Sequence, residues 1–295
     1  MERGLVKPAI IVGTGRCGST LLHNMIAMHP RVAWLSTACA RWPTHPERNR
    51  LVLHLVDLPV VSRAVAVLSR PTEPYPFWEE MAKGFSEPIR DLRAGDVTVH
   101  ARNAVRAGLQ SMLTPSRDRL VVKITGWPRI GYLGEILPDA IFVHVIRDPR
   151  AVVNSLLQVG FWRGWRGPAN WRWGQLPPPL QEEWENSGRS FVILAALQWK
   201  ILIDAVEEAK QVLPADRFLE VRYEDLISAP VDELRRLMTG CHLDWPAALE
   251  KKVQRIPLSD MNVKWRKDLT DSQQRLLEGS LKGHAARYGY TVAPC

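Results

Sequence analysis

The stretch that decides the fold is Ile10-Ile11-Val12-Gly13-Thr14-Gly15-Arg16-Cys17-Gly18-Ser19-Thr20. A short β-branched run reads as a buried strand, the glycines as a tight turn, and Ser19-Thr20 as a helix start. The spacing Gly13…Gly18-Ser19-Thr20 is that of a phosphate-binding loop, G-x-x-x-x-G-K-[ST], with Ser19 where that motif carries lysine. Glycines let the backbone approach an anion, and the free N–H groups at a helix start point at it. Gly15, Arg16, Cys17, Gly18, Ser19 and Thr20 are therefore candidate anion-binding residues, with Arg16 supplying a cation in place of the lysine. Gly13, Gly15 and Gly18 also match G-x-G-x-x-G. A dinucleotide reading would need an acidic residue about twenty positions on, where the chain has Ser36, Thr37 and Ala38.

A second strand-to-helix junction carries another cation. His144-Val145-Ile146-Arg147-Asp148-Pro149 ends a buried strand, and Asp148 and Pro149 suit the N-cap and first helical position. Arg147 then stands at the carboxyl end of the strand, where open α/β sheets bind ligands. Ser155 follows eight residues later, so the pair can grip one phosphate group from two sides; alternatively, Arg147 pairs with a core carboxylate. Two anion sites on one sheet edge point to a nucleotide phosphorylated at both ends.

The rest of the 295-residue chain fits this reading. It carries 39 Lys+Arg against 31 Asp+Glu, a net charge of +8 that favours anionic partners. At 46% hydrophobic and 24% charged, the composition is that of a globular protein and excludes disorder as the main state. Cys17, Cys39, Cys241 and Cys295 lie far apart and match neither a disulfide framework nor a zinc motif, so no metal is expected and a reducing, cytoplasmic setting is. The longest apolar run, Phe191–Leu197, is too short to cross a bilayer, and residues 1–8, with Glu2, Arg3 and Lys7, do not read as a signal peptide.

Further strands are expected at Leu120–Ile124, Ile141–Ile146 and Phe218–Val221. Helical faces are expected at Leu21, Leu22, Met25 and Ile26, at Leu194, Leu197, Ile201 and Ala205, and at Leu234, Leu237 and Met238, the last ending at Gly240 as a C′ residue. Strands separated by helices imply an α/β class, a three-layer α/β/α fold with a central, mainly parallel sheet in one domain spanning 1–295. Phe161–Trp184 stands apart, with five tryptophans interleaved with Arg163, Arg166 and Arg172 and followed in part by Pro177-Pro178-Pro179. It reads as an irregular lid insertion at about 161–187.

Together these residues resemble a known family. The loop Gly13–Thr20 is similar to the 5′-phosphosulfate motif of sulfotransferases that use 3′-phosphoadenosine 5′-phosphosulfate (PAPS), and Arg147 with Ser155 resembles their 3′-phosphate motif, including the spacing. Val121-Val122-Lys123 resembles the strand with a catalytic lysine. Arg222-Tyr223-Glu224-Asp225 resembles a segment whose tyrosine lies near adenine. Lys264-Trp265-Arg266-Lys267 resembles a basic segment that closes over the nucleotide. The wording Arg-x-Gly-[Ser/Thr]-Thr and Arg-Asp-Pro-Arg is closest to bacterial and Golgi-type members; Golgi members carry a membrane anchor that is not seen here.

The resemblance implies a P-loop-like fold and transfer of a sulfuryl group from PAPS to an acceptor hydroxyl, on a small molecule, lipid or carbohydrate, with PAP as product and no metal. Arg16 and Lys123 would hold charge on the leaving phosphate. The family's base positions hold Thr125 in one pattern and Ser36-Thr37 in another. The substitutes are Glu79 first, then Glu80, His100 and His45, or Lys123 or a water in place of a dedicated base. Trp34, Trp42 and Trp127 join the lid as candidates for lining an acceptor pocket. Three other readings stay in view: a kinase-like nucleotide enzyme, a nucleic-acid binder and a sulfotransferase-like protein without catalysis. Neither nucleic acid nor an integral membrane segment is expected as part of the function.

Overall fold

The computed structural model describes residues 4–58, 63–86 and 89–291; Glu2, Arg3 and Cys295 lie outside the described residues. The central sheet has five strands, β1 (Ala9–Gly13), β2 (Val32–Trp34), β3 (Arg119–Thr125), β4 (Ile141–Ile146) and β5 (Phe218–Arg222). Their order is β2-β3-β1-β4-β5 and every pairing is parallel. β1 and β4 are buried along their whole length. That is why they read as unbroken apolar runs rather than alternating ones. Each fully covered Ile or Val contributes about 1.5–3 kcal/mol. β2 is only three residues long, too short to leave a periodic signal in the sequence.

The chain leaves β1 toward β2 and leaves β4 toward β5, so neighbouring strands send their connections in opposite directions. A crevice opens at their carboxyl ends, the switch point where doubly wound sheets hold ligands. Right-handed crossovers put the two sets of helices on opposite faces. Helix Ser19–Ala27 packs against Pro230–Gly240, whereas Phe191–Lys210 packs against Ile130–Ile136, Pro149–Leu157 and Asp271–Ala286. One apolar core runs from Ala9 to Leu281 through both layers.

Two local expectations are corrected. Gly240 is the last helical residue rather than a left-handed cap; the positive φ falls on His242, at 53°. Gly240 is required for a different reason, since a Cβ there would lie 2.6 Å from Leu219 Cδ1 on β5. The segment after Phe161 is not wholly irregular either. It makes two short 3-10 turns at Gly164–Arg166 and Pro168–Asn170, then a helix Pro178–Asn186 with proline in its first turn. Proline lacks only an N–H that the first turn leaves unused, so the Pro-Pro-Pro run starts a helix instead of preventing one. Trp171, Leu180 and Trp184 pack with Leu176, Ile193, Leu194 and Leu197 into a separate small cluster on the long helix.

The turn after β1 is held by its glycines. A Cβ on Gly13 would meet Cys17 Sγ at 2.5 Å and the Val145 carbonyl at 3.0 Å; one on Gly18, at φ 95°, would run into the Tyr223 ring. Gly15 has φ 80° but open space around it. Gly15→Ala is therefore expected to cost only backbone strain, about 1–2 kcal/mol. Gly18→Ala adds the displacement of Tyr223 and should cost about 1 kcal/mol or more beyond that. Urea unfolding of the two variants checks the ranking; equal midpoints would show that Tyr223 yields freely.

Candidate functional site

The loop Gly13–Ser19 forms an open cradle. Gly15, Arg16 and Gly18 all have positive φ, at 80°, 57° and 95°, and their N–H groups make no hydrogen bond within the described residues. Arg16 holds that conformation without being a glycine, a strain that recurs at ligand-binding backbone. The first N–H groups of helix Ser19–Ala27 lack intrahelical acceptors by geometry. A run of free amides at the amino end of a helix attracts an anion. Ser19 is buried and Thr20 exposed beside it. The Cys17 side chain is buried, and burial raises its thiol pKa, so that residue can offer a ligand its backbone and not a thiolate.

Cations gather around this cradle. Arg16 Nε donates to Ser155 Oγ at 2.9 Å, a bond that links the loop to helix Pro149–Leu157. Arg147, buried at the end of β4, donates to the Arg16 carbonyl at 3.1 Å and to Asn262 Oδ1 at 2.8 Å, and stacks 4.4 Å above the Tyr223 ring. Arg147 has no carboxylate partner among the described residues; Glu224 instead accepts from Asn262, from the Asp148 amide and from Tyr290. Asp148 caps its helix through the Arg150 amide at 2.9 Å and pairs with the Arg150 guanidinium. That guanidinium lies over Trp265. Trp265 is buried, while Lys264, Arg266 and Lys267 around it are exposed.

Lys123 reaches the cradle from β3, next to β1 in the sheet, and donates to Thr20 Oγ1 at 3.0 Å. Its other partner is Glu73 Oε2, at 3.3 Å, with both side chains largely buried. Glu73 also accepts from the Thr125 amide, from Thr125 Oγ1 at 2.9 Å and from the Tyr75 hydroxyl at 3.0 Å. Burial, then the Glu73 charge, raise the Tyr75 pKa, so the phenol stays protonated and able to donate.

Glu73 and Tyr75 open into a cavity of about 430 Å³ that starts at Thr14, Gly15 and Arg16. Trp162, Trp171, Trp173 and Phe161 wall it, with Arg163, Arg172, Asn170 and Gln198 at its polar positions. Trp162 Nε1 donates to Gln198 Oε1 at 2.8 Å, and Trp173 packs edge-on against Trp127 with ring centroids 5.9 Å apart. A Cβ on Gly126, after β3, would come within 2.9 Å of the Trp173 ring.

The structure thus brings Arg16, Lys123, Arg147, Ser155 and Tyr223 to one crevice with the glycine loop, and sets the 264–267 segment beside it. It does not bring Glu79 there. The Glu79 carboxylate accepts from the amides of Gly84 and Ser86 and from Ser86 Oγ at 2.7 Å, bonds that lower its pKa against the opposing effect of burial. Glu79 closes a turn, and neither it nor Glu80, His100 or His45 lines the cavity. Trp34 is a core residue whose Nε1 donates to the Ser69 carbonyl, and Trp42 stacks with Arg48. The carboxylate that does line the cavity, Glu73, has no motif around it. It lies 50 residues from Lys123, and only folding joins them.

The family model described as "Sulfotransferase family" matches residues 8–247. The omega-hydroxy-beta-dihydromenaquinone-9 sulfotransferases Stf3 of Mycobacterium bovis and Mycobacterium tuberculosis are each 24% identical to the chain over 260 residues, 78% of this chain. The chain spans 61% of the length of these relatives. Among solved structures, sulfotransferase STF9 of Mycobacterium avium superposes with a TM-score of 0.58 at 17% identity, covering 98% of this chain and 78% of that one. STF1 of Mycobacterium tuberculosis gives 0.53 at 15% identity, covering 96% and 78%. At these identities the likeness shows the fold, a P-loop-like α/β/α sandwich.

Behind the cradle, His23 is fully buried with Nε2 unpartnered. Burial first, and the nearby Lys123 charge second, hold its pKa down at about 3, against an ordinary 6.5. Between those values the unfolded chain takes up a proton that the fold refuses, so this group makes the fold less stable as pH falls from 6.5 toward 3. Replacing it with Leu should flatten that slope. Between pH 7 and pH 5 the wild type should lose about 2 kcal/mol more than His23→Leu in chemical unfolding.

Proposed function

The chain belongs to the sulfotransferase family, and we propose on that premise that it moves a sulfuryl group from PAPS to an acceptor hydroxyl and releases PAP. The observation that carries this reading is the unpaired amide run of Gly15 to Gly18 ringed by Arg16, Lys123 and Arg147. The cradle fits the donor. Its free amides suit a terminal phosphosulfate, and Arg147, a second, buried cation without a carboxylate partner among the described residues, suits a 3′-phosphate.

The loop amides with the hydroxyls of Ser19 and Thr20 hold the 5′ end, Arg147 with Ser155 the 3′-phosphate, and Tyr223 the adenine side. Lys264, Trp265, Arg266 and Lys267 close over the nucleotide. The donor supplies the sulfuryl group. Arg16 and Lys123, each restrained by a hydroxyl, hold the negative charge that grows on the leaving oxygen, so little reorganisation is needed at the moment of transfer.

We read the chain as one domain in which 161–187 forms the lid of the acceptor cavity. Its tryptophans favour a hydroxyl-bearing acceptor of apolar or ring character, and the Stf3 relatives are themselves named for a hydroxylated menaquinone. The described cysteines, Cys17, Cys39 and Cys241, are free and buried, which supports a reducing, cytoplasmic setting. No helix among the described residues is long and apolar enough to cross a membrane.

Calorimetry without Mg²⁺ should show PAP binding, and tight ATP·Mg²⁺ binding with none of PAP would favour the kinase-like reading instead. Arg147→Ala should raise the PAP dissociation constant about 10- to 100-fold, as expected for a lost charge-assisted contact, with a much smaller change in kcat. Lys123→Ala should lower kcat about 10²–10³-fold; full turnover in that variant would remove its assigned role.

A further inference from the structure

We propose that Glu73 is the general base that takes the proton from the acceptor hydroxyl; the proposal rests on the sulfuryl-transfer reading above. Three features of the structure single it out. First, Glu73 is the carboxylate among the residues lining the 430 Å³ cavity, and that cavity begins at Thr14, Gly15 and Arg16 of the cradle. An acceptor in the cavity therefore meets both the cradle and Glu73. Second, Glu73 Oε2 lies 3.3 Å from Lys123 Nζ, which is itself 3.0 Å from Thr20 at the cradle. The carboxylate stands within a few ångströms of the place where the leaving oxygen must be held. Third, it is tightly oriented. Oε1 is bonded by the Thr125 amide and the Tyr75 hydroxyl, and the Thr125 hydroxyl bridges toward Oε2. A base must present a lone pair in a fixed direction, and this network holds Oε2 beside Lys123.

The groups around it are set for that role. Tyr75 is kept a neutral donor by burial, so it cannot itself accept the proton. Arg16 and Arg172 line the same cavity. The step balances as follows. The acceptor O–H bond breaks and its proton passes to Glu73, the acceptor oxygen forms a bond to sulfur, and the bond from sulfur to the 5′-phosphate oxygen breaks, its electron pair staying on the phosphate. The carboxylic acid then returns the proton to solvent.

An alternative role for the same contacts is purely structural, with Glu73 serving only to anchor Lys123. The two roles separate by acceptor acidity. With PAPS as donor at pH 8, Glu73→Gln should lower kcat/KM about 10²–10³-fold for a weakly acidic probe such as 2-naphthylethanol, and less than about fivefold for 4-nitrophenol, which is already largely ionised. Its PAP dissociation constant, read by calorimetry, should stay within about threefold of wild type, since the carboxylate is not asked to hold the donor. As a second arm, Glu73→Ala should regain turnover of the weakly acidic probe when formate is added.

Equal losses for both acceptors, or no rescue by formate in a variant that still binds PAP, would overturn the base assignment and leave an anchor. Undiminished turnover of 2-naphthylethanol by Glu73→Gln would overturn it as well. If the wild type binds no PAP and releases none from PAPS, the transfer reading itself fails and the base assignment falls with it.

Discussion

Everything at this site depends on three backbone amides that find no protein acceptor among the described residues. Gly15, Arg16 and Gly18 leave their N–H groups unpaired because positive φ values at these three residues break the strand-to-helix path. Unpaired amides are costly when buried, so the loop must lie at an edge where an anion or water can meet them. The switch between β1 and β4 supplies that edge. The neighbours then fix the shape. Val145 on β4 closes in beneath Gly13, and Tyr223 lies against Gly18. Arg147, stacked on that same tyrosine, ties the end of β4 to the loop through the Arg16 carbonyl.

The net charge of +8 takes on a different meaning once the cations are placed. Many are spent on structure: Arg117 against Asp57 and two carbonyls, Arg119 against three carbonyls, and Arg150 against Asp148 and Glu278. Arg16 and Arg147 are different, since their hydrogen bonds go to neutral oxygens and leave their charge uncompensated. In a crevice with low-dielectric walls such charges act over several ångströms. A small polyanion is a sufficient partner for them.

What the sequence reveals and what it hides divides along physical lines. The glycine loop, β4 and the Asp148-Pro149 helix start are local, each set by residues within a few positions of one another, and they read directly. β2, with three residues, has no period to detect. Helix Pro178–Asn186 is masked by its own prolines, which look like breakers until their place in the first turn is known. Glu79 and Glu73 show the limit most clearly. Glu79 sits in an aromatic-flanked acidic pair, yet its carboxylate is consumed by the turn at Gly84–Ser86. Glu73 lies between Thr72 and Pro74 with nothing to mark it, and it gains its surroundings only when Thr125 and Lys123 arrive on β3.

The small apolar cluster under the tryptophan segment has an evolutionary consequence. Leu176, Trp171, Leu180 and Trp184 rest on one stripe of the helix Phe191–Lys210, whose opposite stripe, with Val192, Ala195, Trp199 and Ile203, belongs to the main core. Part of the segment thus rests on a small patch of its own, while Trp162 joins the main core and Trp173 packs on Trp127. Residues of that patch can change while the main core beneath the glycine loop keeps its packing. Such a division lets that part of the surface diverge while the sheet and its glycine loop are inherited unchanged.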